Sequence, residues 1–284
     1  MENLISVRNL TKNYGDFSLR DVNLTVPAGE VVGLVGENGA GKTTLLRAIL
    51  GMVRADGGEI ELMGGAPKEP SSRRKVAAVF EDSFFYGGLN AVQVGKVMKG
   101  TVEEWDGERY DELLKAFALP LAKPVKEFSK GMQMKINLAV ALARRPRLLI
   151  LDEPTSGLDP VVRGELLDIL MGFMQDERNG LLISSHITAD LEKVADQIAY
   201  IHGGRLLFQR DKLELMEDMA VLRCPMAQID SLPAELVIAK RSSVIGSAAL
   251  VREPERVRRL LPGAVVDCAS IDDMMQFYSG RDKE

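Results

Sequence analysis

Residues 36–44, Gly36-Glu37-Asn38-Gly39-Ala40-Gly41-Lys42-Thr43-Thr44, decide how the rest of the chain is read. The apolar run Val31–Val35 leads into them. A helix-compatible run at residues 45–50 leads out, and Gly51 is a fitting helix stop. Strand, glycine-rich turn, Gly-Lys-Thr and helix, in that order, form a phosphate-binding loop. The glycines let backbone N–H groups curl round an anion without Cβ clashes, and the helix N-terminus adds partial positive charge. In such a loop Lys42 reaches the β- and γ-phosphates and the Thr43 hydroxyl coordinates Mg²⁺. The motif alone says nucleoside triphosphate and leaves open what the energy is used for.

The chain has 284 residues, room for one large domain or one domain plus a small one. It is 46% hydrophobic and 27% charged, the composition of a globular protein. A net charge of −5 argues against nucleic acid as the main partner. Cys224 and Cys268 lack CxxC spacing and read as buried apolar thiols in a reducing compartment. The first residues show no basic stretch followed by an apolar one, so no signal peptide is expected. No apolar run approaches the ~20 residues of a membrane span, so the chain is not expected to cross a membrane alone.

Residues 4–10 and 18–26 alternate apolar and polar as half-buried strands do, and Pro27-Ala28-Gly29 turns the chain into the phosphate-loop strand. A further short strand is expected at 59–63 and a buried one at 76–80. Residues 82–126 change character, with helical patterns at about 90–99 and 108–118 closed by Pro120 and Pro124. With the helix that follows at 129–143, which Ser129 caps, they form a helical insertion over about 82–145 in an α/β core. A fully apolar strand, Leu148-Leu149-Ile150-Leu151, ends in Asp152-Glu153. A helix at 160–177, a strand at 181–183 ending in Ser184-Ser185-His186, a helix at 188–195 and strands at 197–202 and 205–208 complete an α/β fold with a mostly parallel sheet. Residues 211–284 read as a small α+β appendage: helices at 211–219, 253–260 and 271–279, and strand-like runs at 235–240, 244–251 and 264–268.

In α/β sheets ligands gather at the carboxyl ends of strands, so Asp152 and the phosphate loop can meet there. Asp152 is placed to hold the Mg²⁺ of a bound nucleotide, and Glu153, just outside the strand, to polarise a water for attack on the γ-phosphate. His186 also follows an apolar strand and could touch the same phosphate. His202, before Gly203-Gly204, is read as structural.

With these residues in view the chain resembles the nucleotide-binding subunits of ABC transporters from Leu4 to about Arg210. Phe128-Ser129-Lys130-Gly131-Met132 resembles the family signature, usually Leu-Ser-Gly-Gly-Gln. Ser156-Gly157-Leu158-Asp159 matches the D-loop, Tyr14 sits where the family stacks an aromatic on adenine, and His186 matches the switch histidine. The resemblance implies a P-loop ATPase domain over 1–210, with an N-terminal antiparallel β-subdomain and the helical insertion, followed by the 211–284 extension. It implies ATP and Mg²⁺ as ligands, with Gly36, Glu37, Asn38, Gly39, Ala40, Gly41, Lys42, Thr43 and Thr44 around the phosphates and Thr43, Asp152 and Glu81 toward the metal. It implies catalytic roles for Glu153, His186 and Lys42. Two such domains, identical or different, would pair head to tail, so that Ser129, Gly131 and Asp159 of one face the nucleotide of the other. The pair would serve a membrane-spanning permease on a separate chain, at the cytoplasmic face of the membrane.

Three departures from the family pattern stand out: Glu81, the signature, and the short insertion between Glu81 and Ser129. Glu81 occupies the position of the family's glutamine. Lys130 and Met132 replace two signature residues, a form that resembles bacterial ABC-2-type exporters, as do the short insertion and the Ser270-Ile271-Asp272-Asp273 ending. The aromatic run Phe84-Phe85-Tyr86 falls where the family receives a coupling helix from the permease; ordinary core packing is the equal alternative. Two other functions remain open to the sequence: a soluble ABC ATPase acting on ribosomes or DNA, and a non-hydrolysing regulatory module.

Overall fold

The computed structural model describes residues 2–81, 87–243 and 246–279. The run Phe84-Phe85-Tyr86 lies outside the described residues. The chain opens with two antiparallel strands, β1 (Asn3–Asn13) and β2 (Ser18–Pro27). β3 (Val31–Val35) then enters a second sheet, the phosphate loop follows, and α1 (Lys42–Ile49) leaves it. β4 (Gly57–Leu62) returns to pair with β1, giving an antiparallel sheet in the order β2-β1-β4. After α2 (Pro70–Arg74), β5 (Val76–Val79) begins the far edge of the second sheet.

The helical region contains α3 (Ala91–Thr101) and α4 (Gly107–Ala116). Asn90 and Gln93 form a reciprocal capping box on α3, which explains why it starts there. Asp106 caps α4 through Arg109 N–H at 2.9 Å and also accepts from Arg145 Nε at 2.7 Å. These contacts hold its carboxyl below the usual carboxylate range, the backbone N–H of Arg109 contributing most. A 3-10 turn at Val125–Glu127 leads to α5 (Lys130–Leu142), with Ser129 at the N-cap as the sequence predicts; its Oγ accepts from Met132 N–H at 3.3 Å.

β6 (Leu148–Asp152), α6 (Pro160–Phe173), β7 (Gly180–Ser185), α7 (Thr188–Val194), β8 (Gln197–His202) and β9 (Arg205–Asp211) complete the core. The six-stranded sheet runs β5-β6-β7-β3-β8-β9, parallel except for the antiparallel β8–β9 edge. Every residue of β3, β6 and β7 is buried, as continuous apolar runs require when both faces are covered. Val32 and Leu34 pack against the antiparallel sheet and α1, while Val31 and Val35 join the core with α5, α6 and α7. Helix α6 ends at Phe173, four residues short of expectation, because Asn179 Nδ2 donates to the Phe173 carbonyl at 2.8 Å and Arg178 donates back to Asp176.

The C-terminal part departs further from the sequence reading. α8 (Lys212–Asp218) stops before Met219, and Met219-Ala220-Val221-Leu222 form a buried central strand, β10 (Met219–Arg223), not the end of a helix. α9 (Met226–Asp230) and a 3-10 turn at Ala234–Leu236 precede β11 (Val237–Ser243), so the strand expected at 235–240 starts later. β12 (Gly246–Arg252), α10 (Pro254–Leu260), β13 (Val265–Cys268) and α11 (Ile271–Ser279) follow. The four strands pair antiparallel in the order β11-β12-β10-β13, the split β-α-β-β-α-β arrangement. Ala220 and Leu222 face the α9 and α10 side, while Met219 and Val221 join the main core that includes α11. Cys268 is exposed, against the expectation of a buried thiol, because β13 is an edge strand; Cys224 is half-buried. Among the described residues no helix is long and apolar enough to cross a membrane.

Tyr110 ties the helical region together. Its hydroxyl donates to the buried Ala91 carbonyl at 2.9 Å, and burial pushes its phenol above the ordinary range, with Asp111 adding to the effect. Tyr110→Phe keeps the ring and removes the bond. It should lower unfolding free energy by about 1 kcal/mol in a urea titration, without loss of helical signal.

Candidate functional site

The phosphate loop is shaped by two glycines at which any side chain would be strained. Gly41, at φ 110°, lies in a region unfavourable to side chains, and an added Cβ would also come 2.7 Å from Leu19 and Phe17 carbons. At Gly36 a Cβ would overlap the Ile201 carbonyl oxygen. The loop thus curls tightly between β3 and α1.

Lys42 is buried at 6% exposure. Its Nζ donates to the Gly36 and Glu37 carbonyls at 2.7 and 3.3 Å and lies 3.1 Å from Glu153 Oε1. Thr43 Oγ1 donates to Asp152 Oδ2 at 2.7 Å, and Ser184 Oγ donates to Asp152 Oδ1 at 2.6 Å. Ser184 also accepts the Glu153 N–H at its Oγ, 3.1 Å away. Glu153 has φ 50°, an unusual backbone for a residue with a side chain, and this turns its carboxylate toward β7. There Glu153 Oε2 accepts the His186 N–H at 3.1 Å and lies 2.6 Å from His186 Nδ1. The ends of β3, β6 and β7 therefore bring together Lys42, Thr43, Asp152, Glu153 and His186, five residues named from the sequence.

Among the described residues, Tyr14, Ser129, Gly131, Asp159 and Glu81 form no hydrogen bond or ion pair with this cluster. Tyr14 is half exposed, with Lys12 Nζ 5.2 Å from its ring centroid. Ser129 and Asp159 cap α5 and α6, Asp159 accepting from Val161 and Val162 N–H at 3.1 Å. Gly131 is buried against α6, where an added Cβ would stand 2.6 Å from Val162 Cγ1. Among the described residues no hydrogen bond or ion pair joins Ser129, Gly131 or Asp159 to Lys42, Thr43, Asp152 or Glu153. Glu81 does not join Thr43 and Asp152 either. It pairs with Lys130 Nζ at 3.1 Å, so two departures from the family pattern answer one another. Sequence reading missed Ser184, whose signal was its place two residues before His186. His202, read from the sequence as structural, lies 2.9 Å from Glu37 of the phosphate loop.

Comparison with known proteins gives the site its family. An ABC transporter family profile matches residues 19–156. The chain is 36% identical over 212 residues to the lantibiotic transport ATP-binding protein SrtF of Streptococcus pyogenes, spanning 73% of this chain and 91% of that one. The chain belongs to the family of ABC transporter ATP-binding proteins. It is also 34% identical over 212 residues to the bacitracin transport ATP-binding protein BcrA of Bacillus licheniformis, covering 73% of this chain and 69% of that one. A solved ATP-binding subunit of an ABC transporter superposes with TM-score 0.65 at 31% identity, over 75% of this chain and 91% of that one. CbiO1 of Clostridium perfringens, part of the ABC transporter complex CbiONQ, does so with TM-score 0.66 at 25% identity, over 76% of this chain and 91% of that one. ABC ATP-binding domains bind ATP, typically with Mg²⁺. The donors here fit that pair: a glycine cradle with a buried lysine for phosphates, and the adjacent Thr43 and Asp152 oxygens for a small hard cation that keeps most of its water.

The Glu81–Lys130 pair is half exposed on both sides, which limits its energy to about 0.2–1 kcal/mol. Either Glu81→Lys or Lys130→Glu alone should lower stability in a denaturant titration. Together they restore an ion pair of reversed polarity, and the double variant should recover most of the loss.

Proposed function

We propose that this chain hydrolyses ATP as the motor subunit of an ABC exporter, with residues 1–210 as the ATPase domain and 211–284 as an extension. The observation that carries the reading is the cluster at the ends of β3, β6 and β7, where Lys42 and His186 both face the Glu153 carboxylate. Lys42 neutralises phosphate charge in the cradle, exchanging its Glu153 partner for a phosphate oxygen. Glu153, freed on one oxygen and held by His186 on the other, orients a water in line with the γ-phosphate and accepts its proton. Thr43 and Asp152 would hold Mg²⁺, which when bound would offset charge on the phosphate oxygens; Glu81 would reach the ion only on leaving Lys130. Tyr14, half exposed, offers its ring to adenine, and Gly36 to Thr44 enclose the phosphates.

Ser129, Gly131 and Asp159 complete the site of a second copy, identical or different, in a head-to-tail dimer. Their separation from Lys42 within one chain supports this assignment. A capped helix start such as that of α5 favours an anion. The dimer drives a membrane-spanning permease on a separate chain, at the cytoplasmic face of the membrane. The lantibiotic and bacitracin transport functions named for SrtF and BcrA support the exporter class.

Glu153→Gln keeps the side chain's shape and removes its basicity. Phosphate release by the purified protein should fall at least about 100-fold while ATP binding persists, and ATP should convert the variant to a stable dimer by light scattering. Turnover equal to the parent would remove Glu153 from its role. No phosphate release by the parent, with its permease or without, would favour a regulatory module.

A further inference from the structure

We propose that the C-terminal extension holds the phosphate loop in its binding shape, through a ring contact from Tyr278 that fixes the end of β8 and makes His202 a positioning residue for Glu37. The inference rests on the nucleotide-binding reading and gives the extension a task.

The end of β8 touches the phosphate loop at three successive places. The Ile201 carbonyl packs against Gly36 so closely that a Cβ there would overlap it. His202 Nδ1 lies 2.9 Å from Glu37 Oε1. The turn that follows sends the Gly204 N–H to the Ala40 carbonyl at 3.1 Å. Loop shape therefore depends on where β8 ends. Residues two apart share a face of a strand, and Tyr200 and His202 lie nearly parallel, 14° between planes with ring centroids 6.3 Å apart.

Tyr200 is in turn held by the extension. It is fully buried, and Tyr278 on the last turns of α11 meets it at 5.3 Å between centroids, tilted 44°. Tyr278 also meets Phe208 of β9 at 5.7 Å, and Phe208 meets Tyr200 at 5.7 Å, closing a triangle of rings. Tilted pairs at these separations are favourable beyond simple burial.

α11 is itself fixed in place. Ser270 and Asp273 cap it reciprocally, Asp273 N–H donating to Ser270 Oγ at 3.1 Å and Ser270 N–H to Asp273 Oδ2 at 3.0 Å. Ile271 N–H donates to Glu192 Oε1 of α7 at 3.0 Å. The helix is thus anchored at its start on α7 and at its end on β8, the two elements that flank His186 and the phosphate loop. A movement of the extension would reach the nucleotide through these rings.

The test uses full-length protein and the fact that it contains only two histidines, His186 and His202. Their ring signals in an NMR spectrum are assigned by His186→Ala and His202→Ala. Tyr278→Ala should move the His202 signal, leave that of His186 in place, and raise the dissociation constant of a fluorescent ATP analogue about fivefold. Tyr278→Phe keeps the ring and should change neither. His202→Ala should weaken binding similarly, and adding Tyr278→Ala to it should weaken binding no further. Should Tyr278→Ala fail to fold, Tyr278→Leu fills the volume without a ring and is expected to behave as stated for alanine. The proposal is overturned by a folded Tyr278→Ala or Tyr278→Leu protein with unmoved His202 and parental affinity. It is equally overturned if Tyr278→Phe matches Tyr278→Ala, or if the His202 and Tyr278 effects add. A parent protein that binds no nucleotide would defeat the ATPase reading, while the histidine signals would still decide the contact.

Discussion

One carboxylate joins three strand ends. Asp152 accepts a hydrogen bond from Thr43 at the start of α1 with one oxygen and from Ser184 at the end of β7 with the other, while its own backbone belongs to β6. It is buried to 4% exposure, so these two bonds must stand in for water. The arrangement is possible because β7 lies between β3 and β6, which puts Thr43, Ser184 and Asp152 at one level of the sheet. Everything else at the site takes its place from this junction: Glu153 is the next residue, His186 follows Ser184 by two, and Lys42 precedes Thr43.

Much of this was legible in the sequence because it is local. The phosphate loop lies within nine consecutive residues, and the strands that carry Asp152 and His186 are short unbroken apolar runs. A run of that kind bounded by polar residues reads as a strand covered on both faces. Ser129 was legible as a cap for the same reason, since it precedes a helical pattern directly. What the sequence hid was pairing at a distance. Glu81 and Lys130 are separated by 49 residues, and each alone reads as a deviation from a family pattern. His202 looked like a turn residue until β8 was set beside β3, which brings it to Glu37.

The C-terminal part was hidden differently. Met219-Ala220-Val221-Leu222 follows a capped helix without a glycine or proline between, so periodicity extends the helix one residue too far and passes over the strand. Only the sheet context, with β12 on one side and β13 on the other, makes this run a strand. The edge position of β13 could not be foreseen from four residues, and with it the exposure of Cys268.

The backbone of Glu153 has a wider implication. Holding a side chain at φ 50° costs about 1 kcal/mol or more, and asparagine or glycine would sit there more easily. With the role proposed for Glu153, heat resistance and turnover therefore pull in opposite directions at this codon. On that proposed role, a lineage screened for thermal survival alone would drift toward the smaller residues and emerge sturdier but inert.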